Sequence, residues 1–263
     1  MKTISLSAAL VALTVSLPVN AQDVDDFAQV SVLDGWRMEN GHQMAAIKVA
    51  LADGWHTYWR APGEAGIPPR FIWTGAENVA EVRFHWPVPQ VYHENGMWFI
   101  GYEDELILPM EIVPAGTGPI RLSGEMELGV CDDICMPMTA VFTSDFGQAM
   151  TQSQTAPIQA ALQSRPKSIA SARCDVAPTR DGMRVTARIE VPDLGQGEVA
   201  VIEHPDHAIW ISEGTVTRKG NAVTVVSELV PPEAAPFPVD RSDLIVSVLG
   251  NGRAYEARGC LGG

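Results

Sequence analysis

Basic residues are scarce in this sequence. It has 18 Lys and Arg against 32 Asp and Glu, for a formal net charge of −14, and no basic cluster appears along it. A phosphate backbone or an anionic membrane surface would be repelled by such a chain, so no nucleic-acid partner is expected. The acidity instead suits solubility, or steering toward a partner with a basic patch. Long apolar runs are missing beyond the first twenty residues, so no membrane-spanning helix is expected. There is no Gly-rich phosphate loop, no Ser-His-Asp order and no zinc-protease helix, so hydrolase and nucleotide chemistry find no support. Cysteine is rare as well, with four residues in 263.

The first 21 residues, MKTISLSAALVALTVSLPVNA, have a basic start at Lys2, an apolar run from Ile4 to Leu17 and a small-residue end. This pattern predicts a signal peptide over 1–21, cut after Ala21. No cysteine lies near the cut, so no lipid anchor is expected there. Export of this bacterial type leads to a soluble protein in the periplasm, an oxidising compartment where disulfides persist.

Most of the remaining sequence reads as strands. In HQMAAIKVALADGW, Met44, Ala46, Lys48 and Ala50 alternate with Ala45, Ile47, Val49 and Leu51. RFIWT, VAEVRFHW, ELILPMEIV, IRLSGEMELGV and TAVFTSDF follow, each rich in β-branched or aromatic residues and bounded by Gly, Pro or Asn. The texture changes in GQAMTQSQTAPIQAALQSRPKS, where Ile158, Ala161 and Leu162 have helical spacing and Pro166 ends the pattern. Strands then resume in SIASARCDVA, MRVTARIEV, EVAVIEH, AIWIS, AVTVVSEL, LIVSVLG and RAYEARG. The expectation is an all-β protein of two sandwich domains, 22–150 and 166–263, joined by a linker with one short helix over 151–165.

Four cysteines allow three pairings, and pairing within domains is the simplest. In the chain-entropy model, a Cys174–Cys260 bridge closes a loop of about 87 residues and contributes roughly 4–5 kcal/mol. A Cys131–Cys135 bridge closes about 5 residues and contributes only ~2 kcal/mol. The first is a good staple, and the second can open cheaply. If ELGVC and CMPMTAVF pair, Asp132-Asp133-Ile134 is a three-residue hairpin loop with the cysteines facing across it. The two aspartates disfavour a thiolate there. Three readings of this pair stay open: a structural hairpin bridge, a redox pair, or a Cu(I) clip in which Cys131 and Cys135 join Met126, Met136 or Met138 as soft ligands.

DGWHTYWRAPGEAGIPPRFIWT, PQVYHENGMWFIGYEDELILPMEIVP and VCDDICMP together resemble the periplasmic N-terminal domain of the DsbD/ScsB family of thiol:disulfide interchange proteins. The ScsB branch is the more similar, with the same short Cys-x3-Cys. The resemblance covers about residues 30–145, and the second domain fits the longer ScsB-type arrangement. It implies immunoglobulin-like sandwiches and a relay that takes electrons from a membrane thiol carrier and passes them to periplasmic thioredoxin-like proteins. It makes Cys135 the thiol that joins to partners and Cys131 the resolving thiol, with Cys174 and Cys260 left as the structural disulfide. It assigns His93, Glu94, Met97 and Trp98 to a cap loop over the pair, and Tyr58 to an aromatic position beside it. No cofactor is implied. The family's membrane domain and terminal thioredoxin domain do not follow here, so a separate electron donor is expected.

Weaker constellations remain. Trp55, Tyr58, Trp59 and Arg60 suit a sandwich core with Arg60 stacked at its edge, or an aromatic rim that docks a partner. His93 beside Glu94 has the pKa range to supply a proton during exchange. His204, Asp206 and His207 have metal-ligand spacing but no third partner, which favours a solvated loop. His42, His56 and His85 read as strand or surface histidines.

Overall fold

Runs of β-branched and aromatic residues cut by Gly and Pro form strands because pleated, half-buried surfaces suit those side chains. The computed structural model describes residues 27–63, 66–94, 97–146 and 152–262; the expected signal peptide lies outside them. The first domain contains β1 (Ala28–Arg37), β2 (Gln43–Leu51), β3 (His56–Tyr58), β4 (Arg70–Glu77), β5 (Glu81–Phe84), β6 (Gln90–Glu94), β7 (Met97–Glu103), β8 (Glu105–Val113), β9 (Ile120–Cys131) and β10 (Cys135–Phe146). Helix α1 (Gln152–Gln163) follows. The second domain contains β11 (Lys167–Ile169), β12 (Ala172–Pro178), β13 (Met183–Glu190), β14 (Val199–Glu203), β15 (Trp210–Ile211), β16 (Thr215–Lys219), β17 (Ala222–Val230), β18 (Ile245–Gly250), β19 (Arg253–Arg258) and β20 (Cys260–Gly262).

Each domain is a sandwich of two sheets with an immunoglobulin-like architecture. In the first, the order β1-β2-β8-β5 faces β10-β9-β3-β7-β6, with β4 also on β9. In the second, β11-β19-β18-β14 faces β15-β17-β13-β12-β20, with β16 also on β17. Pairing is antiparallel except at β11/β19 and β12/β20, which are parallel. The Cys174–Cys260 disulfide ties β12 to β20 with Cα atoms 5.4 Å apart.

Apolar residues on both faces of β2 have a structural reason. Ala45, Ile47 and Val49 enter the sandwich core, while Met44 and Ala46 face outward against Ile158 and Ala161 of α1. The helix is therefore docked on the first domain rather than free between domains. Pro157 lies inside it and removes one backbone donor, so packing carries much of its stability. The chain after it is also held, with Val88 N donating to Ser164 O at 2.8 Å.

The two domains share an apolar cluster. Val199, Val201, Leu249 and Ala254 of the second pack in the same cluster as Trp59, Ile100 and Val91 of the first. No helix of the described residues is long and apolar enough to cross a membrane.

Candidate redox site

Side chains on a strand alternate between its two faces, and that alternation builds this site. On β9, Met126, Leu128 and Val130 point into the sandwich core, so Cys131 points out from the sheet. On β3, Trp59 just beyond the strand end is in the core, so Tyr58 and His56 share the outer face. On β7, Ile100 is in the core and Phe99 is outside. The outer-face residues form their own cluster of Tyr58, Phe99 and Cys131, with Tyr92 packed on it.

Cys131 and Cys135 end β9 and begin β10 as directly opposed residues, and Asp132–Ile134 is the loop between them. The sulfurs are bonded, with Cα atoms 4.1 Å apart. Their surroundings differ sharply. Cys131 is 0% exposed, while Cys135 is exposed. At the loop tip Ile134 is 63% exposed, flanked by exposed Asp132 and Asp133.

The hydroxyl of Tyr58 donates to Cys131 Sγ at 3.0 Å and lies 3.3 Å from Cys135 Sγ. Three features hold Tyr58 there. β3 pairs with both β7 and β9, and Thr57 Oγ1 donates to Gly129 O at 2.9 Å. Gly129 leaves room for the ring, since a Cβ there would lie 3.0 Å from Tyr58 and 2.8 Å from Ile67. His56 is 5% exposed, stacks on Phe99 at 4.1 Å and meets Tyr58 edge-on at 5.4 Å. Tyr92 stacks on the other side of Phe99 at 4.8 Å. Burial, and secondarily the Glu103 carboxylate, push the Tyr92 phenol up to about 12, so this wall stays neutral.

Several sequence expectations are placed differently. His93 and Trp98 pair across β6 and β7 but lie on the face opposite Phe99, toward the second domain. Trp98 Nε1 donates to the Glu213 carboxylate, and a Cβ on Gly197 would lie 3.6 Å from His93 Nε2. The rings beside the sulfurs are Tyr58, Phe99, Tyr92 and His56. His56 reads in the sequence as a strand or surface histidine; its period-2 spacing from Tyr58 is the signal that puts the two on one face. Residues 95 and 96, at the turn of the expected cap, and the side chains of Glu94 and Met97 lie outside the described residues.

The copper set does not converge. Met126 and Met138 belong to the sandwich core, and Met136 shares the Met138 face of β10, opposite to Cys135. Among the described residues no group of three His, Cys, Asp or Glu side chains is arranged to hold a metal. His204 is half-buried and Asp206 and His207 are exposed, with Ala208 N donating to Asp206 Oδ1 at 2.9 Å within the loop.

Arg60 stacks on Trp59 at 4.3 Å and reaches across to the second domain. Its Nε and Nη2 donate to Glu203 at 2.7 and 3.0 Å, and Nη2 also donates to Glu256. Burial opposes the charge, but the two carboxylates outweigh it and raise the Arg60 pKa.

Residues 19–146 match the model of the family described as thiol:disulfide interchange protein DsbD, N-terminal. Among solved structures, the N-terminal periplasmic domain of ScsB from Proteus mirabilis has a similar fold. Its TM-score is 0.67 at 21% identity, over 92% of this chain and 96% of that one. No curated protein matches the chain.

Proposed function

Because residues 19–146 match the model of the DsbD N-terminal family, we propose that this chain relays electrons by thiol–disulfide exchange through Cys131 and Cys135. In this reading it works in the periplasm, between a membrane thiol carrier and thioredoxin-like partners. The observation that carries the proposal is the asymmetry of the pair. One sulfur belongs to an exposed residue and the other is buried against the Tyr58 hydroxyl.

That asymmetry supports one order of bond changes. A donor thiolate attacks the reachable sulfur, Cys135 Sγ. The Cys131–Cys135 bond breaks, its electron pair goes to Cys131 Sγ, and a mixed disulfide joins Cys135 to the donor. A thiolate is a far better hydrogen-bond acceptor than a disulfide sulfur, so the Tyr58 hydroxyl stabilises the leaving group more than the ground state. The donor's second thiolate then attacks its own sulfur in the mixed disulfide and frees Cys135, leaving the donor oxidised and this chain a dithiol. The acceptor half-reaction runs in reverse, with Cys135 attacking the partner disulfide and Cys131 resolving it.

The test is a redox titration of the intact protein in dithiothreitol or glutathione buffers, with alkylation and mass spectrometry to locate free thiols. The expected result is opening of Cys131–Cys135 near or above about −270 mV while Cys174–Cys260 stays closed. If both bridges persist below about −300 mV, as structural disulfides do, the relay is wrong and the chain is a non-redox adaptor.

A further inference from the structure

The second domain touches the first at two places that adjoin the redox site. Arg60 is two residues past Tyr58 and is gripped by Glu203 on β14 and Glu256 on β19. Trp98 immediately precedes Phe99 and is held by Glu213. Tyr58 and Phe99 are the two rings that pack directly with Cys131. Both anchored residues are on short lengths of chain. β3 has three residues, so its ladders on β7 and β9 are short, and β6–β7 is the outer hairpin of its sheet.

We infer that the second domain is a brace for the redox site. By holding Arg60 and Trp98, it fixes the strands that carry Tyr58 and Phe99 against Cys131. Arg60 and Trp98 are positioning residues in this scheme, since each acts through the neighbouring ring, Tyr58 or Phe99.

Chemistry supports a brace over simple adhesion. The Arg60 side chain is 16% exposed, Glu203 15% and Glu256 11%, so the network is largely removed from water. A planar guanidinium shared between two carboxylates is held in both direction and distance. Buried ion pairs contribute little net stability compared with apolar contacts, but they specify geometry when fully hydrogen-bonded. The shared apolar cluster around Val199, Val201 and Leu249 supplies adhesion; the Arg60 fork supplies alignment. The contacts of Trp98 and His93 lie on the opposite face of the β6–β7 hairpin from the sulfurs, which leaves Cys135 open to a partner.

The inference rests on the exchange reading, and the experiment separates the two. Full-length Glu256→Ala and Glu213→Ala variants are compared with the parent and with Glu228→Gln, which breaks an exposed pair with Arg184 inside the second domain. Each test variant removes one contact between the domains and keeps Glu203 on Arg60, so the fold is retained. Two readouts are taken: amide hydrogen exchange at Tyr58 and Phe99 in the oxidised protein, and the equilibrium constant of Cys131–Cys135 with dithiothreitol. The expected result is exchange at these amides about tenfold faster in both test variants, with Ile47 and Leu108 unchanged. The equilibrium constant should also move by about threefold or more, and Glu228→Gln should do neither. Unchanged exchange at Tyr58 and Phe99 overturns the brace. Faster exchange with an unchanged equilibrium constant also overturns it, because the second domain is then only attached. A parent whose Cys131–Cys135 bridge never opens refutes the exchange reading instead.

Discussion

The Tyr58 hydroxyl sits 3.0 Å from the sulfur of Cys131, a residue 73 positions away whose own surface is wholly buried. Few groups stabilise a buried thiolate without adding charge. A phenol does so, because its O–H is a donor and its ring is compatible with an apolar wall. Tyr58 thus connects the packing of the sheet's outer face to the chemistry of the pair.

Tyr58→Phe keeps the ring and removes the donor. The reduced state should lose one hydrogen bond to a charged acceptor, about 1.5 kcal/mol or tenfold in the equilibrium with dithiothreitol, in favour of the disulfide. Thermal stability of the oxidised protein should change little, because a disulfide sulfur is a poor acceptor. A variant with unaltered redox equilibrium would show that the hydroxyl is a bystander.

Gly129→Ala tests whether that glycine is there for space. The added methyl would press on Ile67 and on the Tyr58 ring. Overpacking of this kind costs about 1–3 kcal/mol, and the displaced ring should also slow Cys131–Cys135 reduction. Calorimetry and a stopped-flow reduction assay read the two effects. A normal melting temperature with a normal rate would mean that the loop around Ile67 yields freely.

Much of this was legible along the chain. Alternation in Met44–Leu51 announces a strand, and the Asp132–Ile134 hairpin follows from two cysteines flanked by strand-forming runs. The phase of a loop is harder to read. His93 and Trp98 looked like a cover for the cysteines because they are near them in the family pattern, yet the β6–β7 register turns them to the second domain. The reach of Arg60 to the second domain is not readable, because its carboxylate partners are 143 and 196 residues away. Tertiary contacts of that range leave no local periodicity. The strand β16 was missed for a related reason, since TVTRK alternates with little apolar weight.

Acid should weaken the first domain through Glu111. Its carboxylate receives His42 on one oxygen and His85 Nε2 on the other, the latter at 3.1 Å. Arg165 donates to His85 Nδ1 at 3.1 Å, and since Arg only donates, His85 is neutral with its proton on Nε2. Burial holds the His85 pKa below its usual value. The His42 hydrogen bond, opposed by burial and aided by His85, holds Glu111 below the carboxylate range. Both folded-state values are depressed, so the unfolded state takes up protons first and stability falls as pH falls. The His85 contribution is complete above its unfolded value of about 6.5 and declines below it; the Glu111 contribution declines below about 4.3. His85→Gln keeps a donor and an acceptor in place, and should flatten melting temperature against pH in the upper window alone. A His85→Gln profile that still declines between pH 6.5 and 5 like the parent's would remove His85 as the cause.

The charge around the open sulfur should select among attacking thiols. Asp132 and Asp133 are exposed on the hairpin tip beside Cys135, and Glu103 and Asp104 are exposed at the β7–β8 turn. β3 residue His56 pairs with both Glu103 and Cys131, which puts that turn two strands from the disulfide. A carboxylate about 10 Å away in water changes the energy of a unit charge by about 0.4 kcal/mol. Two of them separate a cation from an anion by about tenfold in encounter. Cysteamine, with its ammonium, should therefore reduce Cys131–Cys135 about tenfold faster at low salt than mercaptoethanesulfonate, after correction for each thiol's own pKa. Asp132→Asn with Asp133→Asn should close most of that gap, and so should 1 M salt, where the screening length is about 3 Å. Equal rates for the two thiols at low salt would mean that charge does not guide partners to Cys135. Recognition would then fall to apolar contact at Ile134, and Ile134→Ala would become the variant that slows a protein partner without slowing either small thiol.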